Sequence, residues 1–442
     1  MQALSSHGYS QETERIEIAP AETQGTESAP NLLRKEQLMR EAALGILCDA
    51  SSNRRWQLQN LSEKEWWRLV RWLDISGLAL YFPNRVLELE LCEMLPSDIL
   101  ARLQQNLLDN SKRTRGMIAE SVSIQQEFQK AGLSYAVLKG FSLWPCSVLK
   151  PELRSQFDLD FLIDEKSLPE ARQILERKGY CLFDFSGRSW SFKTTTEPGV
   201  FLKDLYKDLP FGSAELHVEG DFPGRRSLLN WIEKRDFYGI LMPVLSPVDL
   251  FLGHGLHVYH HVCGEFSRAS RLLELRRHVL SHRDDDAFWQ ELRSVAEENP
   301  RASAGLGVVT LLITRAMGDF APAALTSWTV ERLPRSVRLW VEIYGCRGVF
   351  NSLPGSKLYM LLEKELGSSD GPAKRPLRRI FLPTRISPEF TWAAADETLA
   401  MRIRRHRRQL NFIFFRLRFH IVEGLRYAWE SYRWRKCVNR RT

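Results

Sequence analysis

Long apolar runs are missing from this chain. None of its 442 residues falls in a stretch of the ~18–20 apolar positions that a membrane-crossing helix needs, so none is expected. The opening residues, MQALSSHGYSQETERIEIAP, lack a basic start followed by an apolar core, so no secretory signal is expected. Cysteine is scarce and scattered. Cys48, Cys92, Cys146, Cys181, Cys263, Cys346 and Cys437 are odd in number and never form a C-x-x-C pair. That pattern argues against a disulfide framework and against a zinc site, and for a reducing cytoplasm. No repeat of about 20–50 residues is visible, which argues against a solenoid.

The chain has enough residues for two or three domains and a sizeable core, and its apolar fraction of 44% is that of a globular protein. The net charge of +8 is unevenly placed: residues 401–442 hold 12 Arg and one Lys against two Glu, so the other 400 residues sum to −3. The basic character belongs to the tail, and the high pI does not make the whole chain a nucleic-acid binder.

Residues 1–30 are rich in Ser, Thr, Gln, Glu and Pro and read as disordered. Residues 31–132 read as helical. SEKEWWRLVRWLDISGL opens with the capping-box pair Ser62 and Glu65, and LPSDIL to QKAG predicts one long helix ending at Gly132. The period then changes. SYAVLKG reads as a strand and a tight turn, FDLDFLI as a second strand, and SLPEARQILERKG as a helix capped by Ser167 and closed by Gly179. YCLFDF and SWSFKTT flank Ser186-Gly187-Arg188 as a hairpin, and SAELHVEG is a further strand. Helical periodicity returns at Pro247. GSSDGPAKRP, residues 367–376, reads as a linker before the basic tail. The expected fold class is therefore α+β. A small mixed sheet within 133–245, its strands at about 133–220, is flanked by a helical N-terminal part, 31–132, and a helical C-terminal part, 246–366, with linker and tail at 367–442.

The chemistry starts at RSQFDLDFLID. Strand alternation puts Asp158 and Asp160 on one face with Cα atoms roughly 6.6 Å apart, while Leu159 and Phe161 point into the core. Charges in an apolar strand are costly unless paired. Two carboxylates on one face can share divalent ions, and hard oxygen ligands suit Mg²⁺ or Mn²⁺. The bland alternative is an edge strand with a solvated face, helped by Arg154.

The order of motifs resembles a family of predicted nucleotidyltransferases within the DNA polymerase beta-like superfamily, often linked to surface-polysaccharide or peptide-modification genes. The residues that carry the resemblance are Leu138-Lys139-Gly140, Arg154, Asp158-Leu159-Asp160, Gly179-Tyr180, Glu215-Leu216-His217 and the Ser246-Pro247 helix with His257 and His261. It covers about residues 95–285. The chain departs from the superfamily by Lys139-Gly140-Phe141-Ser142 in the phosphate-binding turn, where Gly-Ser or Gly-Gly-Ser is usual, and by Glu274 where Asp is usual.

The resemblance implies metal-dependent transfer of a nucleoside monophosphate from a triphosphate such as ATP to an unknown acceptor. Asp158 and Asp160 would bridge Mg²⁺ or Mn²⁺ ions, and Glu215 would complete the site, with Glu219 as the fallback on the same face. Gly140 would let backbone approach the triphosphate, with Lys139 and Ser142 on its oxygens. Arg154 would either steady phosphate charge or hold its loop through a salt bridge. His217 shares the strand face of Glu215 and could orient it or the acceptor. Catalysis would rest on positioning and charge stabilisation.

Other readings stand beside this one: a non-catalytic interaction protein that keeps the fold, or a D-x-D glycosyltransferase, which would need a βαβ unit ahead of Asp158. His254, His257 and His261 share one helical face, with His260 adjacent and Glu265 one turn on, and read as packing or as a transition-metal face. In the tail, Leu410, Ile413, Phe414 and Leu417 fit one stripe among arginines. That stripe suits docking on the body, an anionic membrane surface such as the inner membrane, or, less well, nucleic acid.

Overall fold

The computed structural model describes residues 29–48, 55–194, 205–208, 212–220, 227–265, 267–297, 299–350, 355–367 and 398–441. The expected disorder of 1–30 falls almost wholly outside these residues, as does the linker beyond residue 367.

The N-terminal part is helical: α1 (Ala29–Cys48), α2 (Arg55–Gln59), α3 (Glu63–Ser76), α4 (Tyr81–Glu88) and the long α5 (Ser97–Lys130). The capping box forms at α3. Glu65 accepts from the Ser62 backbone N–H at 2.8 Å, and Gly77 closes the helix with a φ of 74°. A seven-stranded mixed sheet follows: β1 (Tyr135–Leu138), β2 (Leu159–Asp164), β3 (Cys181–Ser186), β4 (Ser189–Lys193), β5 (Ser213–Glu219), β6 (Ile232–Phe237) and β7 (Ile240–Leu245), with α6 (Leu168–Arg177) between β2 and β3. Its spatial order is β3-β4-β5-β2-β1-β7-β6. β2 runs antiparallel to β1 and parallel to β5, and β1 runs parallel to β7.

The C-terminal part is helical again: α7 (Pro247–Val262), α8 (Ala269–Ser281), α9 (Asp286–Glu297), α10 (Pro300–Met317), the short α11 (Ala323–Thr326), α12 (Arg335–Trp340) and α13 (Cys346–Val349), then α14 (Tyr359–Leu366) and the 43-residue α15 (Leu399–Arg441). The fold is α+β, as the sequence predicts.

Three details differ from the sequence reading. The sheet runs past residue 220, because Ile232–Leu245 forms a hairpin on its far edge. β2 starts at Leu159, so Asp158 stands just ahead of the strand. Ser167 makes no side-chain cap bond; a 3₁₀ turn, Glu165–Ser167, leads into α6 instead. No βαβ unit precedes Asp158 among the described residues, which leaves the D-x-D glycosyltransferase reading without its nucleotide-binding half.

The two faces of the sheet differ. One packs Val137, Phe161, Ala214 and Leu216 against Ile124 and Phe128 of α5 and Ile174 of α6. Phe128, Tyr135 and Phe161 meet edge to face there at 5.2–6.3 Å. The other face has a smaller apolar cluster around Ala136, Leu162, Leu245 and Leu250. Polar side chains gather on that second face.

Candidate active site

Register decides what meets. Parallel pairing sets Asp160 beside Glu215 and Leu162 beside His217, and antiparallel pairing sets Leu138 beside Asp160. Because side chains alternate with a period of two, Asp160, Glu215 and His217 share one face. Their ligand atoms lie within 4.8 Å of one another. His217 Nε2 is 2.8 Å from Asp160 Oδ1 and 3.4 Å from Glu215 Oε2. The group grades from dry to wet: the Asp160 side chain is 3% exposed, His217 13%, Glu215 16% and Lys139 24%. A ligand can therefore reach it from one side while its base stays dry.

Lys139 ends β1 and turns back. Its backbone takes a φ of 46°, a left-handed value uncommon for a side-chain-bearing residue and worth roughly 1–3 kcal/mol of strain. The conformation delivers Nζ to Asp160 Oδ1 at 2.8 Å. Gly140 follows with a φ of 36°, a left-handed value that favours glycine, and a Cβ there would lie 2.5 Å from Gln156 Nε2, so a side chain would strain the backbone and displace Gln156. Ser142 Oγ donates to the Lys139 carbonyl at 2.7 Å, and Arg235 of β6 donates to the Ser142 carbonyl at 2.9 Å. The Ser142 hydroxyl thus closes the turn on itself.

Electrostatics follow from this packing. Burial would push the Asp160 carboxyl up, but the Lys139 charge and the His217 hydrogen bond outweigh it and hold Asp160 well below the usual carboxylate range. For His217, burial and the Lys139 charge favour the neutral ring, yet the hydrogen bonds to Asp160 and Glu215 win and raise its pKa above the ordinary value. The pocket is a charged network of one Lys, one His and two carboxylates.

The other sequence candidates sit around this centre. Asp158 is half-buried, does not belong to the converging ligand group, and accepts at its carbonyl from Gln156 Nε2 at 2.9 Å. Arg154 is paired outside the group. Its Nε meets Glu274 Oε2 at 3.3 Å and its Nη1 donates to Gln156 Oε1 at 3.1 Å. Glu274 also accepts from Tyr81 Oη at 2.8 Å, so the pair ties the segment ahead of β2 to α4 and α8. This geometry favours the loop-holding role over the phosphate role for Arg154. Glu219, the fallback carboxylate, accepts from Ser227 Oγ at 2.7 Å and anchors the segment leading to β6.

Sequence reasoning gave His217 an orienting part; the structure also brings its ring nitrogen within 4.8 Å of the Asp160 and Glu215 oxygens. The signal was its i, i+2 spacing from Glu215. The histidines of α7 part company. His254 is buried beside Ser147 and His278, and His257 meets His261 edge to face at 4.5 Å. Among the described residues these three do not form a ligand group together.

A family model described as an uncharacterised nucleotidyltransferase matches residues 62–314, from the start of α3 into the last turn of α10. The chain belongs to that family. The match takes in the Lys139 turn, Asp160, Glu215 and His217, and it ends before α15. No curated protein matches the chain. Membership of a nucleotidyltransferase family implies a nucleotide substrate. No described helix is long and apolar enough to cross a membrane.

Proposed function

We propose that this nucleotidyltransferase moves a nucleoside monophosphate from a nucleoside triphosphate to an acceptor in a reaction that depends on Mg²⁺ or Mn²⁺. The convergence of Asp160, Glu215 and His217 on one sheet face, beside the strained Lys139-Gly140 turn, supports the reading. Two carboxylates and one imidazole within 4.8 Å suit a small divalent ion, and the nitrogen donor favours Mn²⁺ over Mg²⁺. Asp160, Glu215 and His217 would hold the ion, with Asp158 as the neighbouring carboxylate for a second. When bound, such ions neutralise phosphate charge and lower the pKa of an attacking hydroxyl.

The chain's own residues supply the rest. Asp160 arrives ionised, since its proton is already displaced by Lys139 and His217. Lys139 acts as a resident cation that offsets the carboxylate in the free protein. When a triphosphate enters, Nζ has a second anionic partner within reach of the same turn. Gly140 has no Cβ, so the turn packs closely against Gln156, and Ser142 keeps it closed. Arg154 and Gln156 are positioning residues that fix the approach of β2. The path is in-line displacement at the α-phosphate, with positioning and charge stabilisation as the protein's part.

The test is incubation with each labelled nucleoside triphosphate, Mn²⁺ or Mg²⁺ and a cell lysate. Metal-dependent labelling of a lysate component that disappears in Asp160→Asn and Glu215→Gln is expected. A wild type that neither labels nor binds any nucleotide would instead support the non-catalytic reading.

The tail extends the proposal to an anionic membrane surface. α15 docks through one face: Phe419, His420 and Trp434 are buried, Arg416 pairs with Glu265 at 2.9 Å, and Tyr344 Oη donates to Glu430 at 2.8 Å. Leu410, Phe414, Ile421, Leu425 and Tyr432 are 46–66% exposed. They lie at steps of four and seven, which holds them on one face of a straight helix. Arg407, Arg418 and Lys436 flank the stripe. An apolar band edged with cations suits the interface of an anionic bilayer. Cosedimentation with phosphatidylglycerol vesicles should fall several-fold in Leu410→Asp/Phe414→Asp; equal binding by both proteins would remove the membrane from the proposal.

A further inference from the structure

A second polar cluster lies where the segment after Gly140 meets α7 and α8. Cys146 Sγ, a nitrogen of His278 and a nitrogen of His282 lie within 4.8 Å of one another. The segment that carries Cys146 is held from two sides. Arg235 donates to the carbonyls of Ser142 and Trp144, and Ser147 Oγ lies 3.4 Å from His254 Nδ1. His278 is 1% exposed, and its Nδ1 faces the Nδ1 of His254 at 3.3 Å rather than a carboxylate. His282 stacks on Phe288 at 3.9 Å with rings nearly parallel, and its Nδ1 lies 3.7 Å from Asp285 Oδ2.

We propose that Cys146, His278 and His282 form a binding site for a zinc-class divalent transition-metal ion. One thiolate and two imidazoles are a borderline-soft donor set of the kind that selects zinc over Mg²⁺ or Ca²⁺. Three atoms no more than 4.8 Å apart have a common point about 2.8 Å from each, against bond lengths of about 2.0–2.3 Å, so closure needs side-chain movements under ~1 Å. Each histidine has its Nδ1 turned to another group, which leaves Nε2 as the coordinating nitrogen. The Asp285-His282 pair repeats the carboxylate-histidine-metal arrangement that fixes ring orientation. Burial lowers the pKa of both rings and so favours the neutral imidazole, the form that binds metal.

The consequence is a clamp. Cys146 stands four residues beyond Ser142, in the same segment as the Lys139-Gly140 turn, while His278 and His282 belong to α8 and its end. An ion shared among them locks that segment to the helical part. The site is independent of the nucleotidyl-transfer reading, because it uses none of Asp160, Glu215 or His217.

The experiment is a titration of chelator-treated, full-length protein with Co²⁺ as the spectroscopic substitute for Zn²⁺. One equivalent should give the d–d bands of a tetrahedral ion and a thiolate-to-cobalt charge-transfer band, both bleached by Zn²⁺. Cys146→Ser should lose the charge-transfer band, and Asp285→Asn should weaken Co²⁺ binding by about 10–100-fold. Asp160→Asn should keep the bands unchanged, which separates this site from the carboxylate group. A titration with no charge-transfer band, or a band that persists in Cys146→Ser, overturns the proposal. If Cys146→Ser does not fold, His282→Gln takes its place, and an unaltered spectrum in that variant overturns the proposal equally.

Discussion

Asp160 in the sheet and Asp74 in the N-terminal helices are buried to the same degree, 4% and 3% exposed, yet they hold their protons differently. Asp160 Oδ1 has Lys139 Nζ and His217 Nε2 both at 2.8 Å. Asp74 has Arg102 Nη2 at 3.3 Å and the neutral Tyr206 hydroxyl at 3.0 Å. Burial dominates at Asp74 and pushes it up to about 6, with Arg102 and Tyr206 only partly offsetting. At Asp160 the two close partners outweigh burial and push it down. Burial alone does not say whether a carboxylate is charged; the number and closeness of its cationic partners do. The proposed metal-dependent transfer needs the charged kind, and the partners of Asp160 hold it in that state.

The comparison can be broken most sharply at Asp160. Asp160→Asn should lower metal-dependent nucleotidyl transfer by about 10²–10³-fold or more, measured in single turnover. The same change should also lower stability in urea by roughly 1–3 kcal/mol, because Lys139 and His217 lose their shared acceptor charge. Two like charges at Asp158 and Asp160, taken by themselves, would give the opposite sign through relief of repulsion. The structure pairs Asp160 with cations instead.

Asp74 gives the next largest effect. Its folded pKa lies above its unfolded value, so the folded state binds the extra proton between pH ~4 and ~6. Stability should fall by about 3 kcal/mol as pH rises through that window. Asp74→Asn should flatten this slope in urea titrations from pH 4 to 7. An unchanged slope would mean that Asp74 is ionised in the fold.

Lys139 sharpens the contrast with the smallest expected change. Lys139→Met removes the resident cation, so Mn²⁺ alone should bind roughly tenfold tighter, about 1.4 kcal/mol. Nucleotide affinity should fall by a similar factor. Calorimetry with each ligand separates the two effects, and a drop in both would show that Lys139 only supports the fold.

Much of this site was legible because its signals are local. Asp158-Leu159-Asp160 and Glu215-Leu216-His217 each declare a strand face within three residues, and Lys139-Gly140 marks a turn by its glycine. Pairing Asp160 with Glu215 took the family resemblance, since alternation cannot say which strands are neighbours. The β6–β7 hairpin went unread for a local reason. Ile232–Phe237 has four charged residues in succession and no alternating apolar set, and Pro243 interrupts β7. The start of β2 also escaped, because Phe157 and Asp158 continue the pattern of the strand without its hydrogen bonds. The meeting of Cys146 with His278 and His282 has no sequence signature. Cys146 is more than 130 positions from either histidine, and only the packing of α7 and α8 against the segment after β1 joins them.

The parallel β2–β5 ladder carries a consequence for how such a protein can change by insertion and deletion. Between Asp164 and Ser213 the chain forms α6 and the β3–β4 hairpin, whose second strand pairs with β5 on the side away from β2. Outside those elements the connection can change length while Asp160 still faces Glu215, provided that β4 keeps its register with β5. Within β5 the opposite holds. Deleting one residue ahead of Glu215 inside the strand would swing Leu216 into its place and turn Glu215 and His217 toward the apolar layer under α5. Lineages of this protein should therefore accumulate length changes in the crossover and none in the short strands that frame it.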